Sequence, residues 1–256
     1  MQSFTLSRPP EIIFGAGKLC DLGPRTARYV GQGAAVLVIA DPMMTTLGIT
    51  ARARQILAEA GFEAQAFDGL KGEPKLADID AATHMARSME ARAIIGIGGG
   101  SALDVAKLVA ACAASGLSAQ AYQLCETPLP KDVLPLIAIP TTAGTGSEVT
   151  RTAVFANAEK IKVWAWGEEI KPRVAILDPE LTVGVPPQVT AATGLDALVR
   201  GRPAGAAVGG AVDPTGRDRG EQRRGIGRMR QQRVEGLATE AGGPLGTVGV
   251  VPQRQL

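Results

Sequence analysis

The sequence predicts an α/β protein with a mainly parallel sheet and flanking helices. Over the first 199 of 256 residues, short apolar runs alternate with longer stretches of helical pattern, which is typical of βαβ units. Hydrophobic residues make up 45% of the chain and charged residues 20%, a balance found in globular proteins with a packed core. Aromatic residues make up only 4%, so the core must consist mainly of Ala, Val, Leu and Ile.

The apolar runs and the helical patterns follow one another in a regular order. AVLVI and AIIGI are continuous apolar runs, which predicts strands that are buried within the sheet. Strands are expected at residues 35–39, 63–67, 93–97, 134–139 and 174–177. Helices are expected at residues 45–60 and 76–90, and a further helix is expected to begin at Ser101.

A run of three glycines, Gly98, Gly99 and Gly100, lies between the third predicted strand and the helix that begins at Ser101. Ser101 and Asp104 fit the capping pattern of a helix start. Glycines let backbone N–H groups approach a ligand closely, and a helix N-terminus carries partial positive charge, so the turn suits a phosphate or pyrophosphate. The run matches neither the G-x-G-x-x-G fingerprint nor a P-loop, so a tight turn without a ligand stays an alternative.

A second loop follows the fourth predicted strand and is rich in hydroxyl groups. Residues 141–150, here called the Thr-rich loop, carry Thr141, Thr142, Thr145, Ser147 and Thr150. Because ligands gather at the carboxyl ends of parallel strands, this loop and the glycine turn are expected to face one crevice.

Asp41 ends the first predicted strand, where its carboxylate can accept hydrogen bonds from ribose hydroxyls. The alternative is a turn residue, because Asp-Pro is a common turn pair.

The composition changes abruptly near residue 199. Residues 1–199 carry 8 Lys and 9 Arg against 20 acidic residues, whereas residues 200–256 carry 10 Arg and no Lys against 5 acidic residues. The second segment also has 13 Gly in 57 positions and no aromatic residue. Such a segment buries too little apolar surface to offset its chain entropy, so we expect it to be disordered.

Four motifs, in this order and spacing, resemble the iron-containing (group III) alcohol dehydrogenase family: GGGSALDVAK, PTTAGTGSEVT, ILDPELTVGVPP and ATGLDAL. The opening IIFGAGKLCDLG fits as well, and the resemblance covers about residues 4–199. It implies a Rossmann-like N-terminal domain that binds NAD(P), and an all-helical C-terminal domain that binds a divalent metal, usually iron. The implied activity is metal-assisted hydride transfer between an alcohol or aldehyde and NAD.

The resemblance also assigns cofactor residues. The glycine turn would hold the pyrophosphate, and Asp41 would face the adenosine ribose. A carboxylate there would repel a 2′-phosphate, which favours NAD over NADP. Thr141, Thr142 and Val149 would line the adenine and ribose side, Lys162 would reach a ribose hydroxyl, and Leu181 would lie close to the cofactor. The residues implied in full are Asp41, Gly98, Gly99, Gly100, Ser101, Thr141, Thr142, Val149, Lys162 and Leu181.

For the metal, Fe²⁺ or another divalent ion, the resemblance supplies one ligand, Asp196 in GLDAL. The family has a histidine four residues later, where this chain has Arg200, and two more downstream, whereas residues 201–256 contain none. A guanidinium cannot ligate a metal, so the metal site is incomplete. The resemblance implies a helical domain nearly as large as all that precedes it, and because a tail of 57 residues cannot supply it, that domain is essentially missing. The chain is therefore expected to divide into three parts: residues 1–185, the dinucleotide-binding α/β domain; residues 186–199, the start of the helical metal-binding domain; and residues 200–256, the Arg- and Gly-rich tail. A frameshift, a pseudogene product and a fused linker are the alternatives for the tail.

These inferences leave competing functions. The first is the cofactor domain of an NAD-dependent alcohol dehydrogenase, truncated and inactive in this chain. The second is a non-catalytic dinucleotide-binding remnant. Binding of nucleic acid by the Arg-rich tail is disfavoured, because the tail has no aromatic residue for base stacking.

We expect a cytoplasmic protein without a membrane partner, because no apolar run approaches the roughly 18 residues that span a bilayer and the first residues lack the pattern of a signal peptide. A homo-oligomer is possible, and the sequence leaves the oligomeric state open.

Two further residue types are read as structural. The three cysteines, Cys20, Cys112 and Cys125, are expected to be buried small residues rather than metal ligands or a disulfide framework. His84, the only histidine of the sequence, is expected to be an ordinary helix residue.

Overall fold

The computed structural model describes residues 9–200, and of Arg200 the backbone only. The disorder expected for the Arg- and Gly-rich tail, and the nucleic-acid alternative that depends on it, concern residues outside this range. Within it the predicted fold is confirmed. Six strands form a wholly parallel sheet in the order β1–β8–β5–β4–β2–β3, and β6 and β7 form a separate antiparallel hairpin.

The strands and helices of the described range have the following bounds. The strands are β1 (Glu11–Phe14), β2 (Ala35–Ala40), β3 (Glu63–Phe67), β4 (Ala93–Gly98), β5 (Leu136–Pro140), β6 (Thr152–Ala156), β7 (Lys162–Trp166) and β8 (Val174–Leu177). The α-helices are α1 (Leu22–Thr26), α2 (Pro42–Thr46), α3 (Ile49–Glu59), α4 (Leu76–Ser88), α5 (Gly100–Ser115) and α6 (Pro187–Arg200). Short 3₁₀ helices span Lys18–Asp21, Ala119–Cys125, Ser147–Val149, Glu168–Ile170 and Pro179–Thr182.

The central strands are buried on both faces, and their side chains alternate between two layers of core. Leu37 of β2 and Ile94 of β4 lie in one layer with residues of α4 and α5. Val38 and Ile95 lie in the other layer with residues of α1 and α3. The continuous apolar runs therefore indicate strands covered by helices on each side, as expected for a parallel sheet.

The helix predicted over residues 45–60 is wrong in its extent, because two helices occupy this stretch. Asp41 caps the first of them, α2, by accepting a hydrogen bond from the Met43 backbone N–H at 2.9 Å. Gly48 then adopts a left-handed conformation with φ of 75°, which ends α2 and lets α3 begin at Ile49. The sequence pattern merged the two helices because their apolar residues keep a similar spacing.

Two strand regions have no counterpart in the prediction. β1 is an edge strand that pairs with β8, and the hairpin β6–β7 lies outside the main sheet. The hairpin buries Ala153, Phe155, Val163 and Ala165 in the core layer that contains α5, and its other face is open to solvent. Its alternating burial is typical of an antiparallel pair with one solvated face.

The cysteine prediction is correct only in part. Cys112 is buried in α5, where burial raises the pKa of its thiol to about 12. Cys20 and Cys125 are exposed, because each lies in a 3₁₀ helix at the surface. His84 lies on α4 within reach of Ser88, as expected of a helix residue.

No single helix among residues 9–200 is long and apolar enough to cross a membrane. α5 and the 3₁₀ helix after it reach the required length and composition only as a pair bent by 116°.

Candidate functional site

The predicted site residues of the Asp41 turn, the glycine turn and the start of the Thr-rich loop lie at the carboxyl edge of the sheet. Asp41 follows β2, Gly99 follows β4 and Thr141 follows β5, and these three strands are neighbours in the sheet. The chain goes from β2 outward to β3 and then returns to β4, from which it continues in the opposite direction. The point between β2 and β4 is therefore a topological switch point, where open α/β sheets bind ligands.

The start of α5 differs from the predicted capping pair. The helix begins at Gly100, and Gly99 precedes it in an extended conformation with no side-chain cap. Ser101 lies within the first turn, and Asp104 bonds elsewhere. Because the first N–H groups of an α-helix have no acceptor within the helix, this turn presents uncapped donors at the positive end of the helix dipole.

Each glycine of the turn lies against a neighbouring loop. A Cβ on Gly98 would come within 2.8 Å of the Asp41 Cβ, and the φ of Gly98 is 143°, a conformation that other residues rarely adopt. A Cβ on Gly100 would come within 2.9 Å of Thr145. The glycines thus allow the Asp41 turn and the Thr-rich loop to approach the start of α5 together.

The Thr-rich loop places an unpartnered hydroxyl opposite the turn. Thr141 is buried, and its backbone N–H donates to the Gly98 carbonyl at 3.0 Å. The Thr142 Oγ1 lies 3.5 Å from the position of a Cβ on Gly99, and it is buried without a hydrogen-bond partner. A buried hydroxyl of this kind costs free energy unless a ligand or water bonds to it. The turn and this hydroxyl together offer several hydrogen-bond donors to an anionic group.

A buried cluster that the sequence reading missed anchors the far end of the same loop. The Lys107 side chain, fully buried on α5, donates to Ser147 Oγ at 2.8 Å, Thr150 Oγ1 at 3.0 Å and the Thr152 carbonyl at 2.8 Å. Asp104 accepts from Ser147 Oγ at 2.6 Å and from the Val154 N–H at 3.0 Å. The sequence feature that could have indicated this cluster is the single lysine within the apolar run of α5.

The tip of the loop contacts α6. A Cβ on Gly144 would come within 2.3 Å of the Thr193 carbonyl oxygen, so the two backbones are in close contact. Thr193 lies three residues before Asp196, which is half-buried on α6. The loop therefore lies between the start of α5 and the helix α6, which carries the predicted metal ligand Asp196.

The remaining predicted residues lie on separate elements. Val149 is 39% exposed in the 3₁₀ helix Ser147–Val149, and Leu181 is buried after β8. Lys162 lies on β7 and bonds to Glu73 Oε1 at 2.8 Å, which holds the pKa of the Glu73 carboxyl below its ordinary value. Asp178, in the ILDPEL motif, accepts backbone bonds from Gly17 and Leu19 and thereby ties β8 to the segment after β1.

A comparison with protein-family models identifies the family. Residues 9–179, more than half of the chain, match the model of iron-containing alcohol dehydrogenases. The chain belongs to the iron-containing alcohol dehydrogenase family. Within this family it is 42% identical over 192 residues to Long-chain-alcohol dehydrogenase 1 of Geobacillus thermodenitrificans, covering 74% of this chain and 48% of that protein. It is 37% identical over 193 residues to Alcohol dehydrogenase 4 of Saccharomyces cerevisiae, covering 74% and 49%.

Solved structures agree with this family assignment. A sulfoacetaldehyde reductase from Bifidobacterium kashiwanohense, in complex with NAD⁺, superposes with a TM-score of 0.70 at 31% identity, over 77% of this chain and 51% of that one. An iron-containing alcohol dehydrogenase from Thermococcus thioreducens superposes with a TM-score of 0.69 at 32% identity, over 74% and 50%. The chain spans about half the length of the curated relatives it matches.

The family's metal does not fit the residues present. Across the part of the chain that the structure describes, no three His, Cys, Asp or Glu side chains come together as a metal site. The sequence places Arg200 one helical turn after Asp196, and its protonated guanidinium has no lone pair to offer a metal. The assignment of Asp196 as a metal ligand stays a prediction.

Proposed function

We propose that this chain is the NAD-binding half of an alcohol dehydrogenase that transfers hydride between NAD and a small alcohol or aldehyde. One observation carries the proposal: the unpartnered Thr142 hydroxyl lies opposite the uncapped start of α5. Family membership and the NAD⁺ complex of a similar reductase support a dinucleotide as the ligand. The substrate class rests on the resemblance alone, and a cytoplasmic location rests on the sequence expectations stated above.

In this proposal the residues around the crevice bind different parts of NAD. The N–H groups of Gly99, Gly100 and Ser101 donate to the pyrophosphate. The Thr142 hydroxyl, which the resemblance places on the adenine and ribose side, donates to the pyrophosphate from opposite the turn. The Asp41 carboxylate accepts from the adenosine ribose, while Val149, Lys162 and Leu181 contact the rest of the cofactor. NAD itself supplies the nicotinamide carbon that accepts or gives up the hydride.

We further propose that the polypeptide of 256 residues binds NAD without oxidising alcohol. A permanently protonated guanidinium at Arg200 cannot take the place of a histidine ligand, and a lone Asp196 holds a divalent ion weakly. A non-catalytic dinucleotide-binding remnant is therefore the second candidate. The two candidates differ at the level of the gene: a frameshift would leave the missing histidines readable in another frame after codon 199, and a remnant would not.

Replacing Gly99 with valine tests the cofactor site. The space at Gly99 admits a Cβ at ordinary contact distance, so the fold should tolerate the change, whereas the methyl groups of the branched side chain would crowd the Thr142 hydroxyl. We expect the dissociation constant for NAD, measured by titration calorimetry, to rise more than about tenfold, a loss above roughly 1.4 kcal/mol. Gly31→Val is the matched control, because Gly31 is exposed with no atom within 4 Å of an added Cβ. Equal NAD affinity of the Gly99 variant and the unmodified chain would contradict the assignment.

Replacing Asp41 with asparagine tests the choice between NAD and NADP. The amide oxygen can still accept the hydrogen bond from the Met43 N–H, so α2 keeps its cap while the negative charge is lost. Because repulsion of the 2′-phosphate is removed, the ratio of NADP to NAD affinity should rise by roughly fivefold or more. An unchanged ratio of the two dissociation constants would show that Asp41 serves only as a helix cap.

A further inference from the structure

The Thr-rich loop is fixed at both of its ends. At its start, the Thr141 N–H bonds to the Gly98 carbonyl, so the loop leaves β5 beside the glycine turn. At its end, Lys107 donates to Ser147, Thr150 and Thr152, the last of which begins β6. Between these anchors the loop carries Thr142 and the tip that contacts α6.

The bonds of Lys107 are directed toward the loop rather than toward its own helix. All three acceptors lie in the segment from Ser147 to Thr152, and the Asp104 carboxylate approaches the ammonium at 3.5 Å while it bonds to Ser147. A buried ion pair contributes little net stability, because the loss of hydration offsets the attraction between the charges. Three short bonds to one segment do, however, select a single conformation of that segment.

We infer that Lys107, oriented by Asp104, is a positioning residue that holds the Thr-rich loop so that the Thr142 hydroxyl faces the start of α5; this inference rests on the proposed NAD site. Lys107 does not touch the cofactor in this arrangement. It acts through Ser147 and Thr150, which lie on the same loop as Thr142.

The positive charge of Lys107 contributes to holding the Thr-rich loop in place. Burial lowers the pKa of its ammonium to about 8, and the carboxylates of Asp104 and Glu148 oppose that shift. These are the ionisable groups that face it from α5 and from the loop, since Thr150 and Thr152 on the hairpin side do not titrate. Loss of the proton leaves two donors for three acceptors, so one bond to the loop is lost.

A double-mutant cycle on the full chain tests the inference, with NAD dissociation constants measured by titration calorimetry. In the unmodified chain, Thr142→Val should weaken NAD binding about fivefold, the value of one hydrogen bond. Lys107→Met keeps an unbranched side chain as far as Cε and removes the donors, and it should itself weaken binding by roughly tenfold. In the Lys107→Met background, Thr142→Val should have little further effect, because the hydroxyl no longer faces the ligand.

Lys131→Met, at an exposed lysine, is the matched control and should leave the fivefold effect of Thr142→Val intact. If Lys107→Met does not fold, Ser147→Ala removes one acceptor of Lys107 and should reduce the effect of Thr142→Val in part. An effect of Thr142→Val that is equal in the unmodified, Lys107→Met and Ser147→Ala backgrounds would overturn the inference while leaving the NAD site in place. Failure of the folded, unmodified chain to bind NAD would overturn the proposed function and the inference with it.

A pH profile gives a second readout that a purely structural role would not change. NAD affinity of the unmodified chain should fall as the pH rises through about 8, the pKa of Lys107, while that of Lys107→Met should stay level. Parallel profiles for the two proteins would overturn the role assigned to the ammonium.

Discussion

Alanine at Gly98 is expected to lower the free energy of unfolding by about 3 kcal/mol, the combined cost of backbone strain and overpacking. The φ of Gly98 is 143°, and an added Cβ would lie 2.8 Å from the Asp41 Cβ and 2.9 Å from the Ala102 Cβ. Neither neighbour can move easily, because Asp41 caps α2 and Ala102 is fully buried on α5. The strain must therefore spread into the turn itself.

Urea denaturation of Gly98→Ala and of Gly31→Ala measures this loss against a matched control. Gly31 has open space and no positive φ, so its replacement should change the unfolding free energy by less than roughly 0.5 kcal/mol. The Gly98 variant should also lose NAD affinity in its folded fraction, because the turn and Asp41 are pushed apart. An unfolding midpoint equal to that of the control would show that the turn relaxes without cost.

The sheet could be predicted because its strands are local, continuous apolar runs. β2 and β4 are buried on both faces, so every residue of the run is apolar and the pattern needs no knowledge of partners. The glycine turn and the Thr-rich loop were predicted on the same grounds, since each directly follows such a strand. Their convergence follows from parallel pairing, because the carboxyl ends of neighbouring strands meet at one edge.

The rest of the site depends on contacts between residues distant in the chain. The spacing of Ser101 and Asp104 predicts a capping pair at the helix start. The hydrogen-bond partners of Asp104, Ser147 and Val154, instead lie more than forty residues away along the chain. The hairpin β6–β7 was missed because only alternate residues are buried. The close contact of Gly144 with Thr193 carries no sequence pattern, since it joins a loop to a helix that begins more than forty residues later, at Pro187.

The polypeptide of 256 residues, loaded anaerobically with Fe²⁺ or Zn²⁺, is expected to form no NADH from alcohols above background. The sequence offers Asp196 as the single predicted ligand, with Arg200 in place of the first histidine and no histidine in residues 201–256. A lone carboxylate competes poorly with water for a divalent ion, so the metal would be absent at ordinary concentrations. The apolar residues Leu195 and Leu198 of α6 are also 63% and 69% exposed, so nothing among residues 9–199 covers the helix on either side of Asp196.

A chimera separates the missing ligands from any defect in the cofactor half. In it, residues 200–256 are replaced by the C-terminal half of Long-chain-alcohol dehydrogenase 1 of Geobacillus thermodenitrificans, a protein to which this chain is 42% identical over 192 residues. The family resemblance implies that this half carries the histidine ligands and packs on α6, so turnover is expected within the ordinary enzyme range of roughly 1–10³ s⁻¹. Asp196→Asn in the chimera should abolish that turnover while NAD still binds, because Asp196 is the predicted metal ligand and is not among the residues of the proposed cofactor crevice. Turnover at an ordinary rate by the unaltered polypeptide would contradict the expectation and would require metal ligands other than those of the family.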